Sequence, residues 1–170
     1  MKALTAERLR ALLSYDQATG VFTWLVDMKT GRGNGRVAIV AGSQAGCVCS
    51  DRGYQKIGID GERYYVHRLA FLWMIGEFPV NHVDHIDGNP CNNAWANLRD
   101  VTRVTNLQNR HRPPAGSKLK LLGVTANHKR FMAQITVNKQ WRYLGTFDTA
   151  IEAHHAYIAA KRQLHEGCSI

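Results

Sequence analysis

Val83-Asp84-His85-Ile86-Asp87-Gly88-Asn89 is the stretch from which the rest of the chain can be read. It sets two carboxylates and an imidazole around one isoleucine, then turns through Asp-Gly and Gly-Asn pairs that favour tight, positive-φ backbone. Asn97 follows within Asn97-Leu98-Arg99, and Asn106 within Val104-Thr105-Asn106-Leu107-Gln108-Asn109. A buried structural strand has little use for Asp-His, because titratable groups there need partners. Chemistry at a phosphodiester does have a use for it. A carboxylate oxygen binds a hard cation, and a neighbouring imidazole titrating near neutrality deprotonates water.

Working outward, residues 81–85 and 98–101 read as two short strands, and 87–97 as a long Asn-rich loop without apolar periodicity. Thr102 or Thr105 caps a helix running to about Arg110. Such a unit is too small to bury much on its own. It relies on side-chain hydrogen bonds across the loop and on packing against what precedes it. Upstream, Gly53-Tyr54-Gln55-Lys56-Ile57-Gly58-Ile59, Asp60-Gly61 and Tyr64-Tyr65-Val66-His67 form a hairpin pattern, followed by an aromatic-rich helix over 68–76. His67 reads as a structural residue or a phosphate contact rather than a metal ligand. Residues 5–13 form a short amphipathic helix capped by Thr5, residues 15–20 a turn, and residues 21–25 a strand. Residues 29–36 are glycine-rich and basic, which suits a solvated connection or a flap on phosphate equally. Residues 37–49 continue in β-like material.

Downstream, Arg112-Pro113-Pro114-Ala115-Gly116-Ser117-Lys118 is the clearest linker. Beyond it, residues 123–125, 131–137 and 141–144 read as three strands. The second alternates, with Phe131, Ala133, Ile135 and Val137 facing one way and Arg130, Met132, Gln134 and Thr136 the other. Thr149-Ala150-Ile151-Glu152 is a capping box. It opens a helix whose Ala153, Ala156, Tyr157, Ala160 and Leu164 cover one side of the sheet.

The 170 residues carry a formal charge of +9, and residues 116–170 hold 8 basic against 3 acidic side chains, a net +5. With a pI near 9.7, a polyanionic partner is favoured. The start of the chain lacks a signal peptide's apolar core, and the longest apolar stretch, near 69–75, is far short of a membrane span. The cytoplasm is the default expectation. Four cysteines are too few and too irregular for a disulfide framework, and Cys47-x-Cys49 has no second close pair to complete a zinc site. No structural zinc is expected.

Val66-His67-Arg68-Leu69-Ala70, the Val83–Asn89 stretch, Asn97-Leu98-Arg99 and Val101-Thr102 through Asn106 and Asn109 together resemble the HNH endonuclease family, in its Asn-ending, phage- and intron-borne homing subtype. The resemblance implies an α+β fold with a ββα-metal nuclease core, preceded by an N-terminal helix and β-hairpins. It implies that Asp84 and Asn106 bind one divalent cation, Mg2+ or Mn2+, that His85 is the general base, and that Asn97 braces the loop and orients His85. Asp87 steadies the loop or stands behind the metal. Arg68, Arg99, Arg103 and Arg110 are candidate DNA contacts. Residues 119–165 are similar to the DNA-binding domain of the plant Apetala and ethylene-response factors, through Leu122-Gly123-Val124, Phe131 with Ala133 and Ile135, Leu144-Gly145-Thr146-Phe147, and the helix from Thr149. That resemblance implies a three-stranded antiparallel sheet packed on one helix, with Asn127, Lys129, Arg130, Met132, Gln134, Thr136, Trp141 and Tyr143 facing duplex DNA. The sequence departs from that pattern at Gln134, Thr136 and Trp141, where arginines are usual, and at Arg142, which stands at an inward position.

The expected organisation is an N-terminal DNA-contacting support over 1–78, the nuclease core over 79–112, a linker over 113–118 and a DNA-binding domain over 119–170. The expected activity is metal-dependent, site-specific endonuclease action on double-stranded DNA, of homing type and by nicking. The protein would act in a bacterial host cell and be phage- or intron-encoded. The alternative is a non-catalytic, sequence-specific DNA-binding regulator. No apolar seam or heptad builds a dimer, so a monomer is expected, with a dimer left open.

Overall fold

The structure, a computed structural model, describes residues 3–29, 37–48 and 53–170. The basic stretch 29–36, apart from the backbone of Lys29, lies outside the described residues, as does Cys49. The chain divides into two units, Met1–Asp100 and Val101–Ile170. Both mix helices with antiparallel sheet in an α+β arrangement.

In the first unit, α1 (Ala6–Leu12) begins where the Thr5 hydroxyl accepts from the Arg8 amide at 3.2 Å. It runs directly into β1 (Leu13–Asp16), which pairs antiparallel with β2 (Val21–Trp24). The sequence predicts no strand at β1. Tyr15 and Asp16 looked like the start of a turn, whereas that turn begins beyond Asp16, whose carboxylate accepts from Ala18 N and the Thr19 hydroxyl. β3 (Met28–Lys29) pairs with β4 (Val37–Ile39), and β5 (Gln44–Ala45) extends the β1–β2 sheet. β6 (Cys47–Val48), β7 (Gln55–Ile59) and β8 (Glu62–Tyr65) form a second sheet. Its predicted hairpin turn has positive φ at both central residues, Asp60 at 51° and Gly61 at 87°, as a tight two-residue hairpin requires.

α2 (Val66–Ile75) starts two residues earlier than predicted, so His67 is helical, and it stops at Gly76 in the left-handed region. β9 (His82–His85) then pairs with β10 (Leu98–Val101), a one-turn 3-10 helix at Trp95–Asn97 leading into the second strand. One apolar core gathers Leu9, Leu12 and Leu13 with Phe22, Trp24, Ile57, Ile59, Leu69 and Leu72, and it includes Val83 and Leu98. The two short strands therefore share the core of the N-terminal region. Each fully buried large side chain is worth roughly 1.5–3 kcal/mol, and β9 and β10 supply too few to stand alone.

In the second unit, Thr102 caps α3 (Arg103–Gln108), its hydroxyl accepting from Thr105 N at 3.2 Å. β11 (Val124–Asn127), β12 (Arg130–Val137) and β13 (Gln140–Phe147) make the expected antiparallel sheet, and α4 (Ala150–Leu164) opens on the expected Thr149–Glu152 capping box. Ala133 and Ala153 are fully buried at the contact of sheet and helix. The register of β12 on β13 shifts between Ala133, opposite Gly145, and Gln134, opposite Tyr143, which leaves Leu144 as a bulge. Arg142 stands opposite buried Ile135 yet is exposed.

The linker expected over 113–118 lies within the second unit, Val101–Ile170. α3 and the residues after it are tied to α4 and the C-terminal tail. Lys161 Nζ donates to Arg110 O at 2.6 Å, Gly167 N to Gln108 Oε1 at 3.2 Å, and Ser169 N to Asn109 Oδ1 at 3.2 Å. Lys161 is only 1% exposed. The helical face read as alanines and Leu164 thus carries a buried lysine whose ammonium caps the segment following α3.

Candidate functional site

Asp84 and His85 end β9 and are 6% and 5% exposed, on adjacent positions of one strand. The strand is fixed at its start by Asp100, whose carboxylate oxygens each accept an amide at 3.1 Å, from Val80 and Asn81. Ile86 N donates to Asn97 O at 2.9 Å, joining the two arms just past the histidine. Asp84 is paired with Arg99 of β10. The guanidinium Nε lies 2.8 Å and a terminal nitrogen 2.7 Å from Oδ2. Arg99, expected on phosphate, is engaged here with the carboxylate expected on metal.

Asn97 is bonded across the loop. Its Oδ1 accepts from Asp87 N at 3.0 Å, while its Nδ2 donates to Asp87 Oδ1 at 3.0 Å and to Asn92 O at 2.8 Å. Asp87 also accepts from Asn92 Nδ2 and Asn89 N. Burial would raise its carboxyl, but the bonds from Asn92, Asn89 and Asn97 and the nearby His85 outweigh that and hold it below the ordinary range. Asp87 is therefore an ionised hub of the loop.

Asn93, which the sequence places only in the loop, is bonded to His85. Asn93 is 1% exposed, and its Oδ1 sits 3.2 Å from His85 Nε2. Its own Nδ2 donates to Gln55 Oε1 at 2.9 Å, and Tyr15 donates its hydroxyl to Asn93 O at 2.7 Å. Burial lowers the His85 imidazole, opposed by the Asn93 bond and the charges of Asp87 and Asp84, so it is neutral at physiological pH.

Beside it, His67 of α2 meets the His85 ring edge-on, centroids 5.3 Å apart at 88°, with Tyr54 against both. Burial, then His85 and Arg68, push His67 down to about 3. Its Nδ1 is buried and, among the described residues, has no hydrogen-bond partner. Arg68 donates to Pro79 O at 3.1 Å and lies over the Phe78 ring, so it holds the connection from α2 to β9.

The other expected residues belong to the second unit. Asn106 and Arg103 are on α3, and Arg110, exposed, lies just beyond it. Asn127, Arg130, Met132, Gln134, Thr136, Trp141 and Tyr143 share the sheet face away from α4, as register and alternation require, and Lys129 sits in the β11–β12 turn. Trp141 and Tyr143 are 57% and 54% exposed, stacked with centroids 6.4 Å apart. Trp141 Nε1 donates to Gln134 Oε1 at 2.9 Å, and Arg130 pairs with Asp148 at 2.8 Å.

Among the described residues no group of three or more His, Cys, Asp or Glu could hold a metal ion. A carboxylate and a carboxamide oxygen nonetheless suit a hard cation that completes its shell with water and substrate oxygens.

Residues 64–108, from β8 through α2, β9 and β10 to the end of α3, match the HNH endonuclease family. The match takes in His67, Asp84, His85, Asn93, Asn97, Arg99 and Asn106 of the HNH segment. No curated protein matches the chain. A solved structure, on DNA binding and cleavage by the HNH homing endonuclease I-HmuI, aligns over 84% of this chain and 77% of its own at 22% identity and a TM-score of 0.43. No helix among the described residues is long and apolar enough to cross a membrane.

Proposed function

We propose that the chain is a divalent-metal-dependent DNA endonuclease of homing type that hydrolyses phosphodiester bonds one strand at a time. What supports this reading is the buried His85 next to Asp84 on one strand, within the segment that matches the HNH endonuclease family. His85 takes the proton from water aligned with the scissile phosphorus. Asp84 and Asn106 would hold Mg2+ or Mn2+, which when bound supplies charge stabilisation at the phosphate and the leaving oxygen. Asn97 keeps the loop closed around Asp87, and Arg99 holds Asp84 in place. Arg103 and Arg110 would meet phosphate.

The face bearing Asn127, Gln134, Thr136, Trp141 and Tyr143 would dock on duplex DNA in the manner of the Apetala and ethylene-response domain, with Lys129 on the backbone. The organisation we propose keeps 1–78 as support, 79–112 as nuclease core and 119–170 as reader, in a monomer acting in a bacterial host. The Asp84–Arg99 pair would also suit a regulator that binds DNA without cutting. Supercoiled plasmid carrying the target site, incubated with protein and Mg2+, separates the two. Conversion to nicked circle that EDTA abolishes is expected; binding without conversion would leave the regulator.

A further inference from the structure

We infer that Asn93 is a positioning residue for His85: its carboxamide, fixed from behind by the Cys91 carbonyl and Gln55, holds the imidazole in the Nε2–H tautomer and leaves the unprotonated nitrogen at Nδ1. The functional meaning rests on the proposed role of His85, but the tautomer itself can be read without any reaction.

The orientation of the Asn93 amide follows from its partners. Nδ2 lies 3.3 Å from Cys91 O and 2.9 Å from Gln55 Oε1. A backbone carbonyl only accepts, so the NH2 end must face it. Oδ1 then faces His85 Nε2 at 3.2 Å. A carboxamide oxygen has no proton to give, so Nε2 must donate. A neutral imidazole carries one N–H, and Nδ1 is left as the basic atom.

The group that imposes this is held as firmly as the histidine. Asn93 is 1% exposed, its carbonyl takes the Tyr15 hydroxyl at 2.7 Å, and Trp95 N, two residues on, donates to Gln17 O at 2.9 Å. β1, its turn and β7 thus reach into the HNH loop and fix one amide. Asn97 bonds to Asp87 and Asn92 instead. The two asparagines divide the work: Asn97 closes the loop, and Asn93 sets the proton on the base.

The test uses the full chain, labelled with 15N-histidine, free of DNA and metal, at a pH where His85 is neutral. Long-range 1H–15N spectra distinguish a protonated from an unprotonated ring nitrogen, and the His85→Ala spectrum assigns the signals. Wild type should show Nε2 protonated and Nδ1 bare. Asn93→Asp, which keeps an acceptor oxygen, should retain the Nε2 proton. Asn93→Leu should let the Nδ1–H form appear, and on plasmid with Mg2+ should lower kcat about 10–100-fold with little change in KM. A wild-type protein with the proton on Nδ1 overturns the inference whether or not the variants fold. A folded Asn93→Leu with the wild-type tautomer overturns it as well. The inferred tautomer pattern in a protein that cuts no DNA would uphold the Asn93–His85 relation and remove the proposed hydrolysis.

Discussion

Gly20 is packed directly against the backbone of Asn93: a methyl group built on it would lie 2.1 Å from the Asn93 carbonyl carbon and 2.3 Å from Ala94 N. Gly20 also has a φ of +76°, which side-chain-bearing residues rarely adopt. The turn between β1 and β2 is therefore shaped to receive the HNH loop.

Replacing Gly20 by Ala should force either the turn or the loop to move. Overpacking of this kind costs about 1–3 kcal/mol, with the left-handed conformation adding to it. Thermal unfolding measured by circular dichroism should show a clearly lower midpoint. An unchanged midpoint would mean that the two segments do not touch as described.

Removing the guanidinium from Asp84 should expose what that carboxylate is for. Arg99→Gln takes away the cationic partner of a carboxylate that is 7% exposed, and should destabilise the metal-free protein by about 1–3 kcal/mol. If Asp84 is a cation ligand, Mg2+ should restore more stability to the variant than to wild type. Equal Mg2+ responses in a melting titration would count against a cation at Asp84.

His67 gives the fold a pH dependence of known sign. Its folded value of about 3 lies below the ordinary 6.5, so in between the unfolded chain binds a proton that the folded chain does not. Stability is full above the unfolded value and is lost as pH falls toward the folded one, at about 1.4 kcal/mol per pH unit. Urea unfolding of wild type should therefore weaken between pH 6.5 and 5 by roughly 2 kcal/mol more than that of His67→Phe. Parallel curves for the two proteins would remove His67 as the cause.

The tie between Lys161 and Arg110 bears on where the chain can be divided. A fragment beginning at residue 101 keeps the acceptor for the buried ammonium, and one beginning at 115 loses it. The longer fragment should be the more stable by about 1–3 kcal/mol in urea unfolding. Equal stability would show that α3 and its following residues do not belong with α4.

The elements with strong local signals were legible in the sequence: the Asp60-Gly61 hairpin turn, the Gly76 stop, the Thr102 cap and the Thr149–Glu152 box. So was the pairing of faces along β12, because strand alternation needs no knowledge of neighbours. β1 was not legible, since Leu13 extends the helix's apolar stripe and Tyr15-Asp16 reads as the start of a turn, and the segment becomes a strand through pairing with β2. In the candidate site, Asp84, His85 and Asn97 announced themselves by residue type and spacing. Asn93 did not, because one asparagine among several in a loop has no pattern, and its partners Tyr15 and Gln55 come from distant parts of the chain. The partners of Arg68 and Arg99 were not legible either, because charge alone does not name the carbonyl of Pro79 or the carboxylate of Asp84.

The most direct measurement is the nicking rate of His85→Ala against wild type, on target-bearing supercoiled plasmid with Mg2+ at neutral pH and saturating protein. Loss of the base should lower the rate by about 10²–10⁴-fold while DNA binding, followed in parallel, stays near wild type. Near-wild-type cleavage by His85→Ala would contradict the assignment of His85 and, with it, the proposed mechanism.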